Sequence, residues 1–490
     1  MTTEVRTKTL QLNHFIGGEF TKASGGETFD TINPATNEVI AKVALGTADD
    51  IDKAAKVARK AFETGPWARM SIRERCDILR KIGDLILAKK ETLARAESMD
   101  AGKPISESLE GDIPRSAYNF HFFADFAQSA SEDLYTVGEY ERHLAVREPL
   151  GVCGLITPWN LPLYLATWKI APCLAMGNSC ILKPAEWTPY TATLFAEIVQ
   201  EAGLPDGVFN VVHGFGANGA GEALTRHPLV DSISFTGETS TGRAIMAAGA
   251  QTLKKLSFEL GGKGANIIFA DANIDDALAT SVRAAFRNQG EICLAGSRLF
   301  VQDTIYSEFV ERLVEKVKQI KVGDPLDPQT QMGALISKEH LKKVESYLEI
   351  GKKEGKLMTG GHRISELPNG NFLAPSVFTD LPFDSRFCQE EIFGPAVPVI
   401  PFNSEDQVIE MTNSTPYGLS ASVWSQDIDR CHRVATKLRS GMVWVNCWFV
   451  RELRAPFGGQ KSSGLGREGG RYSLDFFSQT KTITYKYRNK

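Results

Sequence analysis

The feature that most constrains this chain is an alternation of short apolar runs with longer helical segments, which starts near residue 145. Short apolar runs bounded by turn residues are typical of buried strands, and the longer segments between them carry apolar residues at helical spacing. Strands that alternate with helices form a parallel sheet through right-handed crossovers. We therefore predict an α/β fold in which ligands bind at the carboxyl ends of the strands.

Two alternating regions are predicted, and they meet at the segment around Glu259. In the first region the predicted strands are Val152–Ile156, Cys180–Lys183, Val208–Val212 and Ser232–Phe235, and the predicted helices are Tyr164–Met176, Tyr190–Ala202 and Ala220–Thr225. The second region runs from Ala265 to about residue 460, with strand patterns at residues 265–270, 298–301, 396–400, 421–424 and 442–445. Before both regions, helical spacing predicts one helix over residues 49–63 and another over residues 71–99, ended by Gly102.

The end of the chain, residues 481–487, alternates polar and apolar residues in the manner of a single strand. An unpaired strand exposes a row of backbone donors and acceptors, so it must pair with something. We therefore expect this tail to add to a sheet.

Composition limits the partners. The chain has 490 residues, a net charge of −4 and a pI near 6.1, which argues against a general electrostatic grip on nucleic acid. No apolar run reaches the roughly 20 residues of a membrane-spanning helix, and the first residues lack the apolar core of a signal peptide. The eight cysteines include no Cys-x-x-Cys pair and no cysteine–histidine cluster with zinc-ligand spacing. We expect a cytoplasmic protein with buried free thiols and no metal.

Two segments carry the chemistry that matters most. Glu259 lies in Phe-Glu-Leu-Gly-Gly-Lys, and Cys293 ends Asn-Gln-Gly-Glu-Ile-Cys. Both residues lie close to glycines, which let the backbone approach a ligand closely. A thiol can attack a carbonyl carbon, and a carboxylate can activate the water that releases the acyl group. For Cys293 the alternative is one more buried thiol.

Two turns could hold a dinucleotide. Residues 214–219 match Gly-x-Gly-x-x-Gly, although a simple glycine-rich turn fits them about as well. Residues 235–242 also follow a predicted strand and open a helix, whose backbone N–H groups favour an anion. Asn160, in Pro-Trp-Asn, offers the side-chain amide of an oxyanion hole; the alternative for Asn160 is a turn former.

Together these segments resemble the signature motifs of the aldehyde dehydrogenase superfamily, and the resemblance covers nearly the whole chain. It implies an aldehyde dehydrogenase fold: a Rossmann-like cofactor domain over residues 1–130 and 150–260, an α/β catalytic domain over residues 261–460, and a small β oligomerisation element over residues 131–149 and 475–490. In that superfamily the tail strand joins the sheet of a neighbouring subunit, which implies a homodimer or homotetramer.

The resemblance also implies a set of residues that bind NAD, with NADP weaker. Glu186 and Lys183 would reach the adenine-side ribose, where a carboxylate repels a 2′-phosphate. Glu391 would hold the nicotinamide ribose and Phe393 the ring. Glu238 stands where the family often has serine, so the phosphate position is expected to differ. The full set is Thr157, Trp159, Lys183, Glu186, Phe235, Gly237, Glu238, Leu260, Glu391 and Phe393.

The implied reaction is oxidation of an aldehyde to a carboxylic acid through a thioester. Cys293 attacks the aldehyde, the Asn160 amide holds the oxyanion, and Glu259 activates water for hydrolysis. Glu468 resembles a family position linked to proton relay; the alternative is a solvated glutamate. Two other classes stay open: a CoA-acylating dehydrogenase, which commonly lacks a base at the position of Glu259, and a non-catalytic protein on the same scaffold.

The substrate is less constrained. Residues 112–126 and 444–454 resemble a subgroup acting on muconate-type semialdehydes, which includes 2-aminomuconate and 2-hydroxymuconate semialdehyde dehydrogenases. Arg115 and Arg451 in those segments suit a carboxylated aldehyde, because guanidinium binds carboxylate bidentately. Structural ion pairs are the alternative role. The aromatic residues Tyr118, Phe120 and Trp448 would equally suit apolar, aromatic or retinal-like aldehydes.

Overall fold

Two large, mainly parallel sheets, each covered by helices, form the computed structural model, which describes residues 10–488. This architecture confirms the predicted α/β class. The strands of the first sheet, in spatial order, are Gly464–Leu465, Lys255–Glu259, Ser232–Thr236, Val152–Ile156, Ser179–Lys183, Phe209–Val211, His14–Ile16 and Glu19–Thr21. The central strands, from Lys255–Glu259 to Phe209–Val211, are parallel, and the outer ones are antiparallel.

Helices cover both faces of the first sheet. They are Ala48–Glu63, Ile72–Ala88, Lys90–Ala101, Ile113–Gln128, Pro162–Ala175, Tyr190–Ala202, Ala220–Arg226 and Thr239–Gly249. On one face Leu155 and Leu182 pack with side chains of the helices that include Phe120 and Trp168. On the other face Ile233 belongs to a separate buried cluster. The strand Val152–Ile156 is buried throughout, as expected for a central strand of a parallel sheet.

The order of the strands in the first sheet predicts where a ligand binds. The strands Val152–Ile156 and Ser232–Thr236 are neighbours, although two strands of the same sheet come between them in the sequence. The chain therefore builds the sheet outwards in one direction and then in the other. The crevice between these two strands, at their carboxyl ends, is the topological switch point where open α/β sheets bind ligands.

The second sheet follows in the sequence. Its strands, in spatial order, are Lys356–Thr359, Ser376–Thr379, Ala396–Phe402, Arg298–Gln302, Ala265–Ile268, Ser420–Trp424 and Met442–Val445. All neighbours are parallel except the first pair. The helices around it are Ile274–Phe286, Tyr306–Lys318, Lys338–Glu354, Glu405–Asn413 and Ile428–Lys437. Separate apolar clusters lie on its two faces.

Smaller elements complete the fold. A three-stranded sheet joins Leu10–Leu12, Val39–Ala44 and Thr28–Ile32, and a two-stranded ribbon joins Tyr417–Gly418 to Gln460–Lys461. The short helical segments are Trp67–Arg69, Ile105–Glu107, Ser108–Asp112, Ala250–Thr252, Arg287–Gly290, Asp303–Ile305, Arg386–Gln389 and Gly470–Phe476. Within residues 10–488, no helix combines the length and the apolarity needed to cross a bilayer.

The tail strand adds to a sheet, as the sequence predicts, and its partner lies in the same chain. Ser478–Lys486 pairs along its whole length with Glu141–Pro149 of the same chain, and Asp133–Val137 pairs on the other edge of Glu141–Pro149. The sequence pattern could not show this partner, because the two strands lie far apart in the chain. Leu134, Tyr135 and Val137 in this antiparallel sheet are exposed.

The helix predicted over residues 71–99 is corrected. The chain forms two helices, Ile72–Ala88 and Lys90–Ala101, because Lys89 leaves the helical conformation between them. The Lys89 ammonium pairs with Glu201 at 2.6 Å, and no proline or glycine marks the break. The predicted stop is confirmed: Gly102 ends the second helix with a left-handed φ of 73°, a conformation that favours glycine.

Candidate functional site

The candidate site is a cleft made of two cavities that share a wall. A cavity of about 640 Å³ contains Lys183 and Glu186, and one of about 290 Å³ contains Cys293 and Asn160. The shared wall consists of Pro158, Trp159, Trp187, Thr236, Gly237 and Glu238. All but Trp187 follow or end the two strands that flank the switch point of the first sheet, and Trp187 follows the neighbouring strand Ser179–Lys183. All ten residues predicted to bind the cofactor line one cavity or both.

The larger cavity is lined by an ion pair between a lysine and a glutamate. Lys183 ends a strand of the first sheet, and its Nζ donates to the Pro184 carbonyl at 2.8 Å and to Glu186 at 3.4 Å. Burial lowers the pKa of Lys183, and Glu186 opposes that change. Gly216, from the Gly-x-Gly-x-x-Gly turn, lines this cavity only, whereas Gly237 lies in the shared wall.

The smaller cavity is bounded by the segment that follows the short helix Arg386–Gln389. The Gly262 N–H donates to Glu391 Oε1 at 2.8 Å, and burial raises the pKa of Glu391 to about 7. Phe393 has a left-handed φ of 59°, and its ring meets Trp159 edge-on at 5.3 Å. A residue without glycine's freedom rarely adopts that conformation unless its surroundings hold it there.

The loop that presents Cys293 is strained. Asn288, Gln289 and Gly290 have φ values of 49°, 57° and 72°, three consecutive left-handed residues. The Asn160 amide donates to the Glu291 carbonyl at 2.8 Å, and Asn288 Nδ2 donates to the Asn160 carbonyl at 3.1 Å. These two hydrogen bonds join the end of a strand in the first sheet to the loop that carries the thiol.

The Cys293 thiol is protonated at neutral pH in this arrangement. Burial raises the pKa of Cys293 to about 12, and the carboxylates of Glu391 and Glu259 add to the rise. Arg451 opposes the rise. Nucleophilic attack by a thiol needs the thiolate, so the proton must leave Cys293 during or before the attack.

Glu259 is buried behind the cleft and has no hydrogen-bond partner on either oxygen within the described residues. Burial raises the pKa of Glu259 well above its usual range, and the neighbouring Glu468 adds to the rise. One oxygen lies so close to Gly458 that a Cβ there would approach it to 2.8 Å. Burying an ionised carboxylate without a hydrogen-bond partner costs free energy. A water or a substrate that donates to Glu259 would lower that cost.

Glu468 is buried and fully engaged, so the alternative of a solvated glutamate is wrong. Its carboxylate accepts from Trp168 Nε1 and from Lys169 Nζ, each at 2.7 Å. Lys169 also donates to Ser234 Oγ at 3.0 Å. A charge-assisted pair with its hydrogen bonds satisfied is what permits two charges to be buried together.

Arg115 and Arg451 both approach the ring of Trp168. Both guanidinium carbons lie within about 6 Å of the Trp168 ring centroid, and Arg451 lies 3.8 Å from the Phe457 centroid. Arg115 donates to Asn119 at 3.2 Å, but its buried Nη2 has no partner. Burial lowers the pKa of Arg115, and Arg451 lowers it further. Within residues 10–488 neither arginine forms an ion pair.

The aromatic residues divide into two groups. Trp448 is buried beside Cys293, and its Nε1 donates to the Leu294 carbonyl at 2.9 Å. Phe120 is fully buried in the core under the first sheet, and Tyr118 is exposed. The predicted aromatic lining is therefore wrong for Phe120, because that position of its helix faces inward.

Several residues of the site were missed in the sequence. His340 and Lys343 line the smaller cavity, Trp187 lies in the shared wall, and Lys169 pairs with Glu468. His340 and Lys343 lie on a helix of the second sheet and could not be placed at the cleft by their spacing. Lys169 could have been suspected, because a lysine is out of place in the otherwise apolar helix Pro162–Ala175.

Comparison with known proteins agrees with this geometry. Residues 20–483 match the aldehyde dehydrogenase family. A 2-hydroxymuconic semialdehyde dehydrogenase of Pseudomonas sp. (strain CF600) is 45% identical over 97% of this chain and 99% of its own length. A 2-aminomuconic semialdehyde dehydrogenase of Mus musculus is 48% identical over 98% and 99%, respectively.

A solved structure supports the same relationship. The NAD+ complex of an aldehyde dehydrogenase from Bacillus cereus superposes with a TM-score of 0.95, at 42% identity, covering 98% of this chain and 97% of that one. The family match spans most of the chain, and the relatives are matched over nearly their full lengths. The chain belongs to the aldehyde dehydrogenase family.

Proposed function

We propose that this chain oxidises a carboxylated, muconate-type semialdehyde to the acid, with NAD as hydride acceptor. The observation that carries the substrate class is the pair Arg115 and Arg451, which share the Trp168 ring without an ion-pair partner within residues 10–488. Two like charges in a partly buried place are unfavourable. A substrate carboxylate would pair with them and point the aldehyde towards Cys293, whose pKa Arg451 already influences.

The cleft fits NAD on its own geometry. Its two cavities adjoin, and among the described residues the Thr236 hydroxyl in their shared wall is buried without a partner. The helix Thr239–Gly249 starts at that wall, and helix N-termini favour phosphate. We assign Lys183 and Glu186 to the adenine-side ribose and Glu391 and Phe393 to the nicotinamide side. Thr157, Trp159, Phe235, Gly237, Glu238 and Leu260 complete the cofactor set.

Cys293 and Asn160 carry out the first half of the reaction. Cys293 gives its proton to water and adds as the thiolate to the aldehyde carbon, and the oxygen that becomes negative is held by the second N–H of the Asn160 amide and by the Cys293 backbone N–H. The first Asn160 N–H is already fixed by the Glu291 carbonyl, so the donor is preorganised. NAD, when bound, would supply the hydride acceptor for the aldehyde carbon, and loss of the hydride leaves a thioester to Cys293.

Glu259 carries out the second half. A water attacks the thioester carbon and gives its proton to Glu259, and the bond to Cys293 breaks to release the acid. We assign Glu468 to the relay that passes the proton on, because Glu468 raises the pKa of Glu259 and Lys169 lowers it. With this base in place, water rather than CoA is the acyl acceptor, and no metal takes part.

The relatives support the same substrate class. Proteins named 2-hydroxymuconic and 2-aminomuconic semialdehyde dehydrogenases are 45% and 48% identical to this chain over nearly their full lengths. Both names denote aldehydes that carry a carboxylate. With Phe120 in the core, the case for a bulky apolar aldehyde rests on Trp448 and Tyr118 alone.

We propose that the protein is a cytoplasmic homo-oligomer, a dimer or a tetramer. The exposed Leu134, Tyr135 and Val137 on the three-stranded antiparallel sheet support assembly, because contiguous exposed apolar side chains mark interaction surfaces. The proposed domains are residues 1–130 with 150–260 for the cofactor, 261–460 for catalysis, and 131–149 with 475–490 for assembly.

A matched pair of substrates tests the function. NADH formation is followed with an ω-oxo carboxylic acid and with its methyl ester, which has nearly the same size and no charge. We expect kcat/KM to be at least about 10-fold higher for the acid, since a charge-assisted pair is worth about 1.5–3 kcal/mol. Equal or better use of the ester would contradict the carboxylated class. A requirement for CoA would contradict hydrolysis by Glu259.

A further inference from the structure

His340 lines the smaller cavity, close to Trp159, Glu291 and Phe393. It is in the first turn of the helix Lys338–Glu354, and Ser337 Oγ accepts its backbone N–H at 3.1 Å, which fixes the start of the helix. The side chain lines the cavity but is only 7% exposed. Its position is therefore set by a capped helix rather than by a mobile loop.

The ring nitrogen Nε2 contacts two segments at once. It lies 2.6 Å from the Phe393 carbonyl and 3.5 Å from Glu291 Oε1. A carbonyl oxygen only accepts, so Nε2 must carry the hydrogen. This N–H therefore donates to the Phe393 carbonyl, in the segment that bounds the nicotinamide side, and it lies close to the Glu291 carboxyl, two positions before Cys293.

The contacts around this hydrogen bond are close. The ring meets Trp159 edge-on at 5.4 Å, and Trp159 precedes Asn160. The Gly394 carbonyl packs against Gly290, where a Cβ would approach it to 2.4 Å. His340 thus contacts the segment of Phe393, the ring of Trp159 beside Asn160, and Glu291 in the nucleophile loop. The segment of Phe393 and the nucleophile loop contain left-handed backbone that needs support.

His340 is not a proton carrier at neutral pH. Burial lowers the pKa of His340 to about 4, so the ring is neutral. The charged groups that face it are Glu291, whose own pKa burial raises well above its usual range, and Lys343 and Glu339 on its helix. Because the ring is neutral and its tautomer is fixed, His340 can contribute a hydrogen bond and packing contacts but no proton transfer.

We propose that His340 is a positioning residue: its Nε2–H holds the Phe393 carbonyl while the ring packs beside Glu291, and it thereby aligns the nicotinamide wall with Cys293. This inference rests on the proposed function for its effect on hydride transfer. These contacts are a property of the chain and act on the nucleophile loop without any substrate.

Three variants separate the hydrogen bond from the shape. His340→Phe keeps an aromatic ring beside Trp159 but has no N–H, His340→Gln keeps an N–H donor, and His340→Ala has neither. Thermal unfolding first identifies which variants keep the wild-type Tm. The rate of the single-turnover NADH burst, the KM for aldehyde, and the rate of Cys293 alkylation by iodoacetamide in the presence and absence of NAD are then compared.

We expect His340→Phe and His340→Ala to slow the burst by roughly 10–100-fold, since small misplacements of reacting groups cost that much. KM for the aldehyde should stay within about twofold, and His340→Gln should recover most of the burst at every pH where the wild type is active. Alkylation of Cys293 should be about 3–10-fold faster in the Phe and Ala variants, because local opening of the loop becomes easier.

A His340→Phe enzyme that matches the wild type in both burst and alkylation would overturn the proposal, as would a Gln variant as slow as the Ala variant. Alkylation needs neither the aldehyde nor hydride transfer. If the wild type shows no burst with any aldehyde, the proposed function fails, and the alkylation rates alone still decide the role of His340.

Discussion

The two cavities of the cleft are built in different ways. The cofactor half is made by turns that directly follow parallel strands of one sheet, such as those at Thr157, Lys183 and Gly237. In the reaction half, Cys293 lies on a loop of the second sheet. Arg115 and Arg451 come from segments that are far apart in the sequence. The first half is a consequence of topology, and the second depends on how separate elements pack.

The difference shows in the state of the polar groups. In the cofactor half Lys183 is paired with Glu186. In the reaction half both Glu259 oxygens and Arg115 Nη2 are buried without partners in the described part of the chain, and the loop before Cys293 has three left-handed residues in succession. A substrate and water can supply the missing partners there.

The largest loss should follow removal of the nucleophile. Cys293→Ala should lower aldehyde oxidation by more than about 10³-fold, since the covalent route disappears, while NADH binding measured by fluorescence persists in the cofactor half. Residual turnover above about 1% of wild type would mean that another residue is the nucleophile.

Loss of the oxyanion donor should rank second. Asn160→Ala should slow the NADH burst by roughly 10²–10³-fold, the usual loss for one such donor. The affinity for NADH should change little, because the Asn160 amide points to the nucleophile loop. A change confined to KM would show that Asn160 only shapes the cavity.

The arginine pair should give an intermediate and selective effect. Arg115→Ala and Arg451→Ala should each lower kcat/KM for a carboxylated semialdehyde by roughly 10–150-fold, the equivalent of one charge-assisted hydrogen bond. The methyl ester of the same substrate is the control and should change little. Equal losses on both substrates would show that the arginines only support the ring of Trp168.

Replacing Glu186, which pairs with Lys183 in the cofactor half, should have the smallest effect. Glu186→Gln should leave the rate with NAD within a few-fold of the wild type but raise kcat/KM with NADP by about 10-fold, the scale of a single charge contact of about 1.4 kcal/mol. Steady-state kinetics with both cofactors measures the ratio. A wild type that uses both cofactors equally would contradict the placement of Glu186 at the ribose.

The cofactor half was largely predictable from the sequence. Turn motifs that follow apolar runs predict a site at the carboxyl ends of the parallel strands, and the resemblance to the family assigned Thr157, Lys183, Glu186 and Gly237 to it. The fold class followed from the same alternation. The pairing of Glu259 and Cys293 in one region came from the resemblance rather than from the residue pattern.

The rest depends on tertiary contacts that have no local pattern. The burial of Phe120, the ion pair of Lys169 with Glu468, and the approach of His340 to Phe393 are set by packing between distant elements. The break at Lys89 has no proline or glycine to mark it, and the partner of the tail strand lies more than 300 residues away in the sequence. Only the structure could supply these contacts.

The central claim is that Cys293 forms an acyl intermediate and that Glu259 removes it. Glu259→Gln, mixed with NAD and a carboxylated semialdehyde, should give a burst of NADH close to one per active site and a thioester on Cys293 detectable by mass spectrometry. In the wild type the thioester should disappear faster as pH rises, because burial raises the pKa of Glu259 and the ionised base becomes more abundant with increasing pH. Absence of both the burst and the adduct in Glu259→Gln would contradict the account and show that Glu259 acts before hydride transfer.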